Sequence, residues 1–166
     1  MNTDASGARD SAAAAQIHAA PIRDMDPVTV YLLAKLRQDV FGVEQQATDP
    51  DLDGRDLEPG TWILWAERTG ADGTGEPVAH IRVLDDGPNL RIGRLAVRAD
   101  ARTGGIGRRI MRAALDLTEQ IDPNRIVKID AQAYLEDWYV SMGYVTTGEH
   151  FMEAGIDHVP MEYRHR

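Results

Sequence analysis

The sequence predicts an α/β (α+β) domain: a mixed, mostly antiparallel sheet with splayed central strands, flanked by helices. Three observations predict it. Between Leu90 and Val97 the apolar alternation changes phase, because Leu90 and Ile92 share one face while Leu95 and Val97 share the other, so the pattern slips by one residue near Gly93–Arg94. A β-bulge leaves that mark, and it opens the strand from its neighbour, so that an extended ligand can lie there as a substitute strand. The same strand runs into the glycine loop Arg102-Thr103-Gly104-Gly105-Ile106-Gly107-Arg108 and then a helix with Ile106, Ile110, Ala114, Leu117 and Ile121 on one stripe. Two strand-like runs precede it on short links, as in an antiparallel meander. Another, Ile126–Ala131, follows the helix, and a strand–helix–strand crossover sets its strands parallel.

Taken in order, residues 1–24 are rich in Ala, Ser and Asp but lack a basic start and a compact apolar segment, so they read as a disordered leader rather than a signal peptide. The domain is expected from residue 25 to 166. Asp26-Pro27 is an N-cap followed by proline at the first helical position; Leu32, Leu33, Leu36 and Val40 then recur at helical spacing, with Gly42 as the expected end. Arg37, Gln38, Glu44, Gln45 and Gln46 gather polar groups there, where side chains can line a pocket. Asp49 to Glu58 opens like a calcium loop, but Gly60 stands at the twelfth position where a bidentate glutamate is required. It reads as an acidic surface loop, with recognition of a cationic acceptor as the second reading.

Trp62–Glu67 and Val78–Leu84 read as strands, and Asp85-Asp86-Gly87-Pro88-Asn89 turns the chain into the bulged strand. The helix Gly107–Ile121 ends before Asp122-Pro123. Ala133–Met142 is a short helix with Leu135, Trp138, Tyr139 and Met142 on one face and Gly143 as its C-cap. Tyr144–Thr147 and His158–Tyr163 suit a final hairpin around Ala154-Gly155, whose edge offers a route to a homodimer.

Glycines at a helix start let the backbone approach a ligand closely, and their N–H groups with the helix dipole make an anion site suited to phosphate. Arg91, Arg94, Arg98, Arg102, Arg108, Arg109 and Arg112 crowd this span, in which Asp100 is the only acid, inside a chain of formal charge −9. A Walker loop would need Lys-Ser/Thr after its last glycine, where Arg108-Arg109 stands. A dinucleotide fingerprint fits better, with Asp130 ending the next apolar run, but Ile110 occupies its third glycine position and Arg98–Thr103 is too long for the tight turn. The overall acidity disfavours nucleic acid as a partner. No run of eighteen apolar residues exists to span a membrane, and the absence of cysteine excludes disulfides, thiolate metal sites and a cysteine nucleophile; a cytoplasmic protein is expected, with no metal.

R-x-x-G-x-G after an L-x-V strand resembles the acetyl-CoA loop of the GNAT N-acetyltransferases. From about Val28 to Tyr163 the chain resembles the ElaA-like branch of that superfamily. The matching stretches are Arg37-x-x-Val40-Phe41, Val43-Glu44-Gln45, Asp53-Gly54-x-Asp56, Ile81-Arg82, Gly93-Arg94, Ala131-Gln132-Ala133, Tyr139-x-x-x-Gly143-Tyr144 and Gly155-Ile156-x-His158. The resemblance implies the GNAT fold and binding of acetyl-CoA as cosubstrate. Leu95, Ala96 and Val97 would hold the pantetheine arm by their backbone, and Arg102, Thr103, Gly104, Gly105, Ile106, Gly107 and Arg108 the pyrophosphate. It implies direct transfer of the acetyl group to a primary amine, on a small molecule or a peptide, in a ternary complex, with Arg37, Gln45, Arg82 and Gln132 lining the acceptor pocket.

The chemistry requires a base, because a lysine-like amine of pKa about 10.4 is almost wholly protonated at neutral pH. It requires an oxyanion donor, for which a freed N–H near Ala96–Val97 is the candidate, and an acid for the leaving thiolate, for which Tyr139 is the candidate by its place in the motif. Glu44 is the first choice for the base, and His80 and His158 remain open. A non-catalytic acyl-CoA-binding sensor or interaction module is the competing reading.

Overall fold

The computed structural model describes residues 14–166. Among them an eight-stranded sheet runs in the order β1-β2-β3-β4-β5-β8-β6, with β7 pairing β8 off that path. The strands are β1 (Gln16–Ala20), β2 (Trp62–Thr69), β3 (Gly75–Asp86), β4 (Asn89–Val97), β5 (Ile126–Gln132), β6 (Val145–Thr146), β7 (Phe151–Glu153) and β8 (Ile156–Tyr163). The helices are α1 (Pro27–Arg37), continued by a π-helix (Gln38–Glu44), then α2 (Ile106–Ile121) and α3 (Glu136–Val140). Strands β1 to β4 form an antiparallel meander, and β5 returns parallel to β4, as a crossover through α2 requires.

The two faces carry separate cores. On one, Ile106, Ile110, Met111 and Ala114 of α2 pack on Leu64, Ile81, Val83, Ile92, Ile129 and Val159, with Tyr139 and Tyr144 completing the cluster. On the other, Leu33, Leu36 and Val40 pack on Ile63 and Ala96. Because side chains alternate along a strand, the residues between those of the first core, Gln132 on β5 and His158 on β8, project to the α1 face. Asp26 caps α1 as expected, its Oδ2 accepting from the Thr29 N–H at 3.0 Å.

Three elements differ from expectation. The first is residues 16–20, placed in the leader, which form β1 on the edge of β2 and bury Ala15 in the core, so the domain begins before residue 25; the leader up to residue 13 lies outside the described residues. The segment QIHAA is too short in apolar content to stand out from the Ala-rich stretch before it, and edge pairing supplies what its own pattern lacks. The second is the first helix, which does not end at Gly42 but widens into the π-helix as far as Glu44. Such segments are rare and are frequent at functional sites. The third is the final hairpin: Ala154-Gly155 does turn the chain, but the strand entering the turn is β7, while β6 pairs β8 further along.

Candidate active site

The bulge lies where the phase slip put it. Ala96 pairs His80 and Gly93 pairs Arg82, so Arg94 and Leu95 together face Ile81, and Arg94 takes a left-handed φ of 55°. His80 holds this irregular backbone, its Nδ1 lying 2.7 Å from the Arg94 carbonyl. Burial, with Arg37 nearby, pushes the His80 pKa down to about 3, so the ring stays neutral and donates to that carbonyl. His80 therefore positions the bulge and is not available as a base.

The splay follows from the bulge. β4 pairs β5 only through Asn89, Leu90 and Arg91, whereas its pairing with β3 continues to Val97. Beyond Arg91 the β5-facing edge of β4, including Leu95, Ala96 and Val97, has no strand partner among the described residues. The chain then forms a 3-10 turn (Ala99–Gly104) and enters α2 through Gly105, whose φ is 76° and whose side-chain position has nothing within 4 Å. Among the described residues, no side chain caps the start of α2. A glycine facing open space, uncapped N–H groups and the positive end of a helix dipole fit a pyrophosphate. At Gly107 an added Cβ would meet Val97 and Trp138 at 3.6 and 3.7 Å, so the loop is packed against the channel wall. Ile106 is fully buried and offers the site only its backbone, while Thr103 is exposed.

The arginines of the loop already have partners. Arg102 donates from Nε to the Val97 carbonyl at 3.0 Å and from its other end to Glu44 at 2.5 Å. Arg108 donates to the Ser141 hydroxyl at 2.8 Å and lies over the Trp138 ring. Glu44 is thus joined to the glycine loop rather than free over the splay. Its neighbour Gln45 reaches the other side: Gln132 and Gln45 exchange amide hydrogen bonds of 2.9 and 3.2 Å. The end of the π-helix consequently spans the mouth of the splay, tied to the β4 side through Arg102 and to β5 through Gln132.

Arg37 and Arg82, expected in the acceptor pocket together with Gln45 and Gln132, hold the Asp51–Asp56 loop. Both are nearly fully buried. Arg37 binds Asp51 at 2.7 Å and Asp56 at 2.9 Å; Arg82 binds Asp53 at 2.8 Å and Asp56 at 3.2 Å. Burial alone would raise the Asp56 pKa, but Arg37 and Arg82 hold it below the usual carboxylate value. The loop read as solvent-facing acid is therefore clamped to the sheet by its carboxylates, with Arg94 joining through Asp51 and Asp53. Two acids three apart, Asp53 and Asp56, matching buried arginines one helix and one strand away were the available signal.

Tyr139 sits at 7% exposure in α3, edge-on to Trp138 and Tyr144 with ring centroids at 4.9 and 5.5 Å. Burial pushes its pKa well up, so it keeps its proton. It belongs to the α2-side core, opposite Gln132 and His158. His158 is 8% exposed, with Nδ1 2.8 Å from the Ile156 carbonyl.

Residues 65–165 match the Acetyltransferase (GNAT) domain family. A UPF0039 protein of Mycobacterium tuberculosis is 39% identical over 143 residues, covering 84% of this chain and 86% of that protein. Protein ElaA of Escherichia coli is 33% identical over 135 residues, covering 80% and 85%. Among solved structures, an acyl-CoA N-acyltransferase from Pseudomonas aeruginosa superimposes with a TM-score of 0.81 at 31% identity over 90% of this chain and 99% of the other. The crystal structure of Escherichia coli ElaA gives 0.81 at 29% identity over the same shares.

Proposed function

The chain belongs to the GNAT acetyltransferase family, and on that premise we propose that it moves an acetyl group from acetyl-CoA directly to a primary amine in a ternary complex. The observation that carries the reading is the unpartnered edge of β4 beyond Arg91, which opens onto the uncapped start of α2. An extended pantetheine arm pairs with that edge through Leu95, Ala96 and Val97, and the pyrophosphate lies on the backbone from Thr103 to Arg108. Arg102 leaves the Val97 carbonyl when the arm takes its place. The acyl donor is a substrate of the reaction, not a resident group.

Each step then has a residue. A backbone N–H near Ala96–Val97 faces the oxygen on which charge develops, a contribution of about 3–4 kcal/mol for one such donor. Tyr139, a phenol that carries its proton at neutral pH, gives it to the departing thiolate. Gln45 and Gln132 line the acceptor side, where their mutual bonds can be exchanged for bonds to the incoming molecule. The acceptor is a small molecule or peptide bearing a primary amine.

The test is thiol release from acetyl-CoA with a panel of spermidine, glucosamine, a free N-terminal peptide and a lysine peptide. Release with at least one amine is expected, and Tyr139→Phe should lower kcat by about 10²-fold or more with little change in acetyl-CoA affinity. Full turnover in that variant would remove the acid role. Binding of acetyl-CoA with no release for any amine would favour a non-catalytic acyl-CoA-binding module.

A further inference from the structure

Resting on that acyl-transfer reading, we propose that His158 is the catalytic base that takes the proton from the acceptor amine. A carbonyl only accepts, so the 2.8 Å contact with Ile156 O fixes the proton on Nδ1 and leaves the lone pair on Nε2. The ring is held in place by Phe151, stacked at 5.8 Å and 24°. His158 pairs in register with Gln132 on β5 and with Phe151 on β7. Paired residues project to the same face, so Gln132, His158 and Phe151 form a row that begins at the edge of the splay.

The row lies under the acceptor entrance. Gln132 meets Gln45 from the end of the π-helix, and the Thr48 N–H donates to the Ala154 carbonyl at 3.2 Å, tying the following segment to the β7–β8 turn. Glu153 of β7 is the charged group beside the imidazole, its carboxylate 3.9 Å from Nε2. A carboxylate only accepts, so it leaves the lone pair free, and at this distance it is near enough to stabilise an imidazolium. The other two candidates have other work: His80 holds the bulge, and Glu44 is paired with Arg102. Tyr139 lies on the opposite face of the sheet, so the group that receives a proton and the group that gives one flank the splay.

The step balances. An ammonium acceptor first loses one proton to solvent. The neutral nitrogen attacks the thioester carbonyl carbon, forming C–N while its second proton passes to Nε2 of His158. The C–S bond breaks with its electron pair on sulfur, and the Tyr139 hydroxyl supplies the thiol proton. Exchange with water returns the proton from His158 and restores Tyr139.

The test compares the wild type, His158→Asn and Glu44→Gln across pH 5.5 to 9.5 by thiol release with the best amine of the panel. Asparagine keeps an N–H for Ile156 O but carries no base. The expected result for His158→Asn is a kcat about 10²-fold lower or more, still climbing with pH where the wild type has levelled, with an undiminished thermal shift from acetyl-CoA. Added imidazole should restore part of the turnover in His158→Ala. Glu44→Gln, whatever its rate, should keep the wild-type profile. Loss of the plateau in Glu44→Gln with its retention in His158→Asn would assign the base to Glu44 and overturn the proposal. Absence of thiol release by the wild type with every amine would instead overturn the acyl-transfer reading, and this inference with it.

Discussion

His80 and Tyr139 are both buried polar rings with displaced titrations, and in His80 the displacement bears directly on stability. For His80 the folded pKa is about 3 against an ordinary value near 6.5. A depressed folded value means that its contribution to stability is present above about pH 6.5 and is lost as pH falls toward 3. Denaturant unfolding between pH 7 and 5 should therefore show stability falling by up to about 1.4 kcal/mol per pH unit from this residue, and His80→Gln should remove that part of the slope. An unchanged slope would mean that the bulge is not held by a neutral histidine. Tyr139, Gln45 and Gln132 were singled out by the motif stretches they belong to, and the folded chain joins the last two by paired amide hydrogen bonds. The surroundings of Arg37 and Arg82 were not, because their partners Asp51, Asp53 and Asp56 lie 14 to 29 residues away in sequence and read there as solvent-facing acids.

At the scale of elements, β4 and the loop into α2 were legible because their local chemistry and their tertiary role agree: the phase slip became the bulge, and the glycines became the start of α2. β1, β7 and the π-helix were not. Two of them are short edge strands formed through pairing with a neighbour, and the third is a widening of a helix whose apolar spacing continues unbroken through Val40. The loop also makes a prediction of its own. Gly105 has a left-handed φ of 76° and faces open space, so Gly105→Val strains the backbone, at about 1–2 kcal/mol, and projects a branched side chain where phosphate is expected. The variant should fold with a lower unfolding midpoint, and acetyl-CoA should no longer raise that midpoint. A full acetyl-CoA shift in Gly105→Val would move the pyrophosphate away from this loop.

Across the whole molecule, the formal charge of −9 gives little sense of how the charge is deployed. Three of the acids, Asp51, Asp53 and Asp56, fasten their loop to Arg37, Arg82 and Arg94, while the splay mouth is spanned by the Glu44–Arg102 and Gln45–Gln132 pairs. The bulged strand and the glycine loop into α2 are local in sequence and could be read there. Gln45, Gln132 and His158 come from three distant segments, and only the folded chain puts them together. We propose that the unpartnered edge of β4 and the start of α2 bind an acyl-CoA. Thermal unfolding titrated separately with acetyl-CoA, CoA and NAD tests it most directly, because a ligand at one hundred times its dissociation constant adds about 2.7 kcal/mol to the folded state. Stabilisation by acetyl-CoA and CoA, but not NAD, is the predicted result; stabilisation by NAD alone would contradict it.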